Sequence, residues 1–235
     1  MSAPGQTLSA SARTQAEALL VQGVSRLGLD LPGETLERLL VYLELLAKWN
    51  RVYNLTAIRD PVQMVIRHLL DSLAVLPHVG GKRFIDVGTG AGLPGIPLAL
   101  ALAGTQWVLL DANGKKVRFV TQAIAATGLA NVSVAQARVE DYHPAHSFDA
   151  VVTRAYATLD VIVCDARHLC GPCGRILAMK GRLPMEEIRR VEAMSCVVHV
   201  HGLAVPGLEE ERCLIEVLPE PVDSGPRETM DSGNI

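Results

Sequence analysis

The chain has no run of roughly 18 apolar residues free of charge, so no membrane-spanning helix is expected. Its opening residues, Met1-Ser2-Ala3-Pro4-Gly5-Gln6, lack the basic and apolar parts of a signal peptide, and the expected location is the cytosol. Five cysteines, an odd number in such a chain, give no disulfide framework. No internal repeat is visible, which sets aside a solenoid. Aromatic residues are scarce, at 4%.

What is present is apolar and aliphatic. Hydrophobic residues make up 49% of the 235, enough for one large core, and the length suits one domain with a small appendage. The net charge of −3 hides an asymmetry. Positions 48 to 118 carry nine Lys/Arg against four Asp, whereas positions 209 to 235 carry eight acids against two Arg. A basic front with an acidic tail is compatible with a polyanionic partner, and equally with a salt-bridged surface.

The chain is organised around Arg83-Phe84-Ile85-Asp86-Val87-Gly88-Thr89-Gly90-Ala91-Gly92-Leu93-Pro94-Gly95. A short β-prone run ends in a cluster of glycines, and an apolar stretch from Ile96 then reads as a helix, with Pro94 and Pro97 near its start. Such a turn lets a nucleotide-like ligand approach the backbone and offers it N–H donors. Asp111 closes the next apolar run, 23 residues after Gly88, where a carboxylate can accept from ribose hydroxyls. Two ligands compete. Gly90-Ala91-Gly92-Leu93-Pro94-Gly95 fits the dinucleotide pattern G-x-G-x-x-G. One glycine earlier, Asp86-x-Gly88-x-Gly90-x-Gly92 is the pattern of S-adenosylmethionine (SAM) methyltransferases. A purely structural glycine turn is the third reading.

Along the chain, residues 1–12 read as disordered and 13–80 as a helical region. Helices are expected over 16–29, from Leu36 to Lys48, and from Asp60-Pro61, a cap with an N1 proline, to Pro77; residues 50–56 read as a loop between them. From 81 to 218 the pattern alternates. Strands are expected at 83–87, 107–111, 131–136, 148–153, 174–180, 195–204 and 211–218, with helices near 95–103, 114–127, 157–169 and 185–193. This predicts a doubly wound α/β sheet, mostly parallel and seven-stranded, covered on both faces. The last two strands are close enough for a hairpin, which puts one antiparallel strand in the sheet. Residues 219–235 read as a disordered acidic tail.

Ligands of an open parallel sheet lie beyond the carboxyl ends of its strands. There stand Asp86 to Gly92, Asp111, then Ala137-Arg138-Val139-Glu140, Thr153-Arg154-Ala155 and Met179-Lys180-Gly181. Glu140 is placed to accept from an adenine amino group and Val139 to pack on the ring; a solvated loop acid is the plain alternative.

These residues, with Trp49-Asn50, Tyr53-Asn54-Leu55-Thr56-Ala57 and Arg67-His68-Leu69-Leu70-Asp71-Ser72-Leu73, resemble the RsmG (GidB) family. The resemblance runs from about Leu36 to Leu218, with several motifs in order. It implies the class I SAM-dependent, Rossmann-like fold, SAM rather than a dinucleotide, and methylation of N7 of a guanine in 16S ribosomal RNA (rRNA) or the small ribosomal subunit. By the family pattern Gly88, Leu93, Val139, Glu140 and Arg154 line the SAM site, Asp111 stands as the ribose acid, and Asp86, Gly90 and Gly92 complete the motif. Asp111-Ala112-Asn113-Gly114 departs from the more usual Asp-Ser-Leu-Gly while keeping the acid.

Guanine N7 bears a lone pair and no proton. The reaction therefore asks for an in-line approach of about 3–3.5 Å and no base. This agrees with Thr153-Arg154-Ala155-Tyr156, where an amino-group methyltransferase has Asp/Asn-Pro-Pro-aromatic. Arg154 and Lys180 are the candidate catalytic residues, each with a structural alternative. Arg67, His68, Lys115, Lys116 and Arg182 are weak candidates for phosphate contacts; His68 and Asp71, three apart, are spaced to pair with each other. Tyr156 is a candidate to stack on the base or a core residue.

Cys170-Gly171-Pro172-Cys173 spells a redox tetrapeptide but follows a helix, where the dipole opposes a thiolate. Cys164, Cys196 and Cys213 read as core residues. No metal and no obligate protein partner are expected. The alternatives are an NAD-dependent oxidoreductase and a non-catalytic RNA- or ribosome-binding factor.

Overall fold

In the computed structural model, which describes residues 8–219, seven strands form one sheet in the order β3-β2-β1-β4-β5-β7-β6. The strands are β1 (Arg83–Val87), β2 (Gln106–Leu110), β3 (Val132–Ala135), β4 (Phe148–Arg154), β5 (Cys170–Lys180), β6 (Val197–Gly202) and β7 (Cys213–Leu218). The first five are parallel, and β7 runs antiparallel to both β5 and β6, as the short connection predicts. All of the expected strands exist, with ends displaced by a few residues. Both faces are covered. The chain order reverses at β1, between β2 and β4, which makes the carboxyl end of β1 the crevice where such sheets hold ligands.

The N-terminal third departs more from its sequence reading. The first helix, α1, spans Ala10–Arg26 with Ser9 accepting from the Ala12 N–H as its cap. Residues 10–12 are therefore helix and not part of an unordered leader, because the cap outweighs their weak apolar pattern. The acidic tail from 220 onward and residues 1–7 lie outside the described residues. Helix α2 covers Gly33–Tyr53, so Asn50–Tyr53 continue the helix that sequence ended at Lys48. The chain turns only at Asn54, which adopts the left-handed conformation (φ 48°) that asparagine tolerates.

Asp60 caps α3 (Pro61–Met64) through the Gln63 N–H, with Pro61 at N1, as expected. A π-helical turn, Val65–Leu70, follows, and then the short α4 (Asp71–Leu73). The Asp71 N–H bonds to the carbonyls of Ile66 and His68 and passes over that of Arg67. π-turns are rare and gather at functional sites.

These helices are not a detached appendage. Leu20, Leu39, Leu43, Leu46 and Leu69 belong to the same buried cluster as Phe84, Trp107 and Leu109 of the sheet and Phe119 of α6 (Gly114–Thr127). Arg38 of α2 donates to the carbonyls of Thr127 and Gly128 at the end of α6, at 2.6 and 2.7 Å. The other face is covered by α7 (Leu159–Ala166) and α8 (Met185–Glu192). Helix α5 (Gly95–Ala101) follows the glycine turn.

Cys196 and Cys213 are buried as expected, whereas Cys164 is exposed on the outer face of α7. None of the five cysteines is in a disulfide. Burial pushes the Cys170 thiol up to about 12, which disfavours its thiolate.

Candidate active site

The glycine turn is shaped from below by Asp86. Its carboxylate is fully buried and accepts through Oδ2 from the Thr89 hydroxyl (2.7 Å) and the Gly95 N–H (2.8 Å), while Oδ1 has no partner. Burial raises its pKa to about 7, against the pull of those two donors. Gly95 leaves no room for a side chain, since a Cβ there would stand 2.2 Å from Leu109 Cδ2. From the helical side, buried Tyr42 of α2 donates its hydroxyl to the Ala91 carbonyl at 2.7 Å. Asp86 thus acts on the shape of the loop; as a direct cofactor ligand it is out of reach.

Above the loop opens a cleft of about 280 Å3 lined by Gly88, Asp111, Lys116, Val139, Glu140 and Tyr156, among others. Of the residues expected to hold SAM, the structure brings Gly88, Asp111, Val139 and Glu140 to this cleft. Gly90 lies behind it and donates its N–H to Asp111 Oδ2 at 2.9 Å. Gly92 and Leu93 are buried in the turn, and Leu93 is only 4% exposed. Asp111 also accepts from the Asn113 N–H at 2.8 Å and has Lys116 at 3.7 Å, so its carboxylate is oriented before any ligand arrives. Glu140 is half-exposed, with Arg138 Nη1 at 3.8 Å. The residues fit SAM: one fixed carboxylate suits a ribose, a second carboxylate beside Val139 suits an adenine, and open backbone lies at Gly88. Gly88 has φ 65°, and a Cβ on it would stand 2.7 Å from the Tyr156 ring.

Tyr156 takes the core alternative: it packs against the buried cluster of that face, with its ring over Gly88 at the SAM cleft, and donates its hydroxyl to Asp165 at 3.0 Å. Burial, with the Asp165 bond, raises its pKa to about 12. Between Arg154 and Tyr156, Ala155 has φ 54°, a strained value for alanine. Ala155 lines both the SAM cleft and a second cavity of about 430 Å3.

Arg154 points into that second cavity. Its Nη1 donates to the Arg67 carbonyl (3.0 Å) and to Asp71 Oδ2 (3.1 Å). Asp71 Oδ1 accepts from Arg212 Nε at 3.2 Å. The expected His68–Asp71 pair does not form, because the π-turn points the two side chains at different partners. His68 is 5% exposed and both its ring nitrogens are used: Nδ1 donates to the Arg67 carbonyl and Nε2 accepts from the Thr56 hydroxyl, each at 2.9 Å. Burial and the Arg154 charge lower its pKa to about 4. It is a neutral structural histidine and not a phosphate contact.

Lys180 donates to the Ala157 carbonyl (2.8 Å) and Glu187 (2.9 Å) at the same cavity's edge. Arg67 bonds Glu210 at 2.6 Å and Gln63 at 3.2 Å. Lys115 and Arg182 are exposed, and Lys116 belongs to the SAM cleft. Sequence reasoning passed over Arg212 and Tyr42, which sit far from any motif and meet the site only through packing.

Comparison with known proteins gives the family and the fold. The GidB family model, described as rRNA small subunit methyltransferase G, matches residues 35–215. The chain is 53% identical over 193 residues to the ribosomal RNA small subunit methyltransferase G of Alkalilimnicola ehrlichii, covering 82% of this chain and 88% of that one. It is 52% identical over 206 residues to the protein of that name from Methylococcus capsulatus, covering 88% of this chain and all of that one. Among solved structures, the glycopeptide N-methyltransferase MtfA with SAM aligns at a TM-score of 0.56, with 11% identity over 65% of this chain and 87% of that one. The DhpI–SAH complex aligns at 0.53, with 15% identity over 80% and 98%. These structural likenesses establish the class I SAM-dependent methyltransferase fold. The extended match to the family model and the full-length relatives establish more: the chain belongs to the GidB family.

Proposed function

We propose that this protein transfers the methyl group of SAM to N7 of a guanine in 16S rRNA of the bacterial small ribosomal subunit, acting in the cytoplasm. The observation that carries the reading is the carboxylate-lined cleft at the reversal point of the sheet, joined through Ala155 to a cation-lined cavity, in a chain of this family. Bound SAM supplies an activated methyl on a sulfonium. Asp111 and Glu140 would hold its ribose and adenine ends, and Gly88 would let its chain lie against the backbone.

The residues around the second cavity support N7 as the acceptor. Methylating an amino group calls for a group that receives a proton, and no such group stands free there among the described residues. His68 has both nitrogens engaged, and Asp71 is held by two arginines. A ring nitrogen with an open lone pair needs orientation only. Arg154 is the candidate to provide it. Lys180, at the edge of the same cavity and held by Glu187 and the Ala157 carbonyl, is the second catalytic candidate.

The test is to incubate the protein with SAM and small subunits lacking the modification and map N7-methylguanine in 16S rRNA. One new N7-methylguanine is expected. Glu140→Ala should weaken SAM binding by about 10-fold in calorimetric titration, the loss of a hydrogen bond to a charged group. Unchanged affinity together with no methyl transfer would return the chain to the class of RNA-binding factors. Stabilisation by NAD but not SAM in a melting experiment would make it an oxidoreductase.

A further inference from the structure

Four cations line the second cavity: Arg67, Arg154, Lys180 and Arg212. Arg67 is paired with Glu210 and Lys180 with Glu187. Arg154 and Arg212 share a single carboxylate, Asp71, which is 3% exposed. The two guanidiniums come from distant parts of the chain, the end of β4 and the residue before β7, and meet only at this acid. Arg154 is held through a single nitrogen. Its Nη1 has two acceptors, Asp71 Oδ2 and the Arg67 carbonyl that the Asp71 N–H passes over. The π-turn therefore does more than bend the chain, since it supplies the Arg67 carbonyl and leads directly into α4, whose first residue Asp71 supplies the other acceptor.

Resting on the methyl transfer proposed above, we infer that Asp71 is a positioning residue that fixes Arg154 and Arg212 toward the target purine and offsets their charge during transfer. Guanine presents N7 and O6 side by side on one edge. An arginine free to swing would donate to both and occupy the lone pair that must attack the methyl group. Pinning Nη1 leaves Arg154 its remaining donors in a fixed direction, suited to O6 alone. Charge gives a second reason. The reaction carries a positive charge across Ala155, from the sulfonium side into this cavity. Two guanidiniums without a carboxylate would oppose its arrival, in surroundings where charges are weakly screened. With Asp71 present, the group of three carries one surplus positive charge, enough to attract RNA.

Asp71→Asn keeps the shape and removes the charge. With small subunits as substrate, kcat is expected to fall about 10- to 100-fold, within the range for loss of orientation. KM for the subunit should stay level or drop, since the cavity becomes more positive, and SAM affinity should stay within about twofold. The double variant Asp71→Asn with Arg212→Met removes the excess cation and should recover part of the lost kcat, which a purely structural defect would not do.

The proposal is overturned if Asp71→Asn leaves kcat unchanged, if it weakens SAM and subunit binding alike, or if the double variant recovers nothing. Should Asp71→Asn fail to melt cooperatively, Arg212→Met alone carries the test. Its KM for the subunit should rise at least about fivefold with SAM affinity unchanged, and an unaltered KM overturns the proposal. Failure of the wild-type protein to methylate would instead refute the functional reading, so the two failures are distinct.

Discussion

Asp86 and His68 are buried ionisable groups whose native charge states are set by burial, and they act on stability in opposite directions. Asp86 has a folded pKa of about 7, above its usual 3.8. The native state thus binds more protons between those values, so its contribution is complete below about pH 4 and is lost as pH rises through 7. His68 has a folded pKa of about 4, below 6.5, so its contribution is complete above 6.5 and is lost as pH falls toward 4. The two slopes partly cancel across this window. Asp86→Asn keeps an acceptor for Thr89 and Gly95 and removes the first slope. Its Tm relative to wild type should therefore rise as pH increases from 4 to 7, and a constant difference would show that Asp86 does not titrate in that range.

Residue identity was readable in sequence where chemistry demands it. Gly88, Asp111 and Glu140 stand where their motif places them, because a ligand-binding turn leaves few alternatives. Asp86 was read correctly as part of the motif and wrongly as a contact. Spacing says which strand end a carboxylate occupies, but not whether it faces the ligand or the loop beneath.

At the scale of elements, the strands and the helices of the alternating part were legible because each carries its own periodicity and punctuation. The errors lie where a local rule is silent. Residues 50–53 remain helical because Asn50 finds partners in Thr56 and Ile58 that no local pattern announces. The π-turn has no sequence signature at all. Helix α6 shows how elements lend one another their ends. Its last carbonyls are bonded by Arg38 of α2, a partly buried guanidinium 89 residues away in sequence. Arg38→Ala should cost about 1–2 kcal/mol, as expected for bonds from a charged donor. That is a fall in Tm of about 2–8 °C for a domain of this size. A neutral result would mean that solvent satisfies those carbonyls equally well.

For the whole molecule, the point is the unity of the core. A division at residue 80 follows naturally from the change in pattern, yet Leu39, Leu43 and Leu69 pack in one cluster with Phe84, Trp107 and Phe119. Residues 81–218 expressed alone would expose that face of the sheet and of α5 and α6. The fragment is expected to aggregate or to lack a cooperative melt in calorimetry, whereas the whole chain should melt in one transition. A well-folded fragment that binds SAM would show the N-terminal helices to be a separate unit after all.

By itself the sequence determined the order of elements, the sheet's class and the carboxylates of the SAM cleft, since periodicity and short motifs act over neighbouring residues. Only the tertiary structure decided that Arg154 turns away from that cleft, that Tyr156 turns toward it, and that Arg212 meets Asp71. The two arginine outcomes depend on hydrogen-bond partners 83 and 141 residues apart along the chain, distances that no local pattern encodes, and that of Tyr156 depends on its burial.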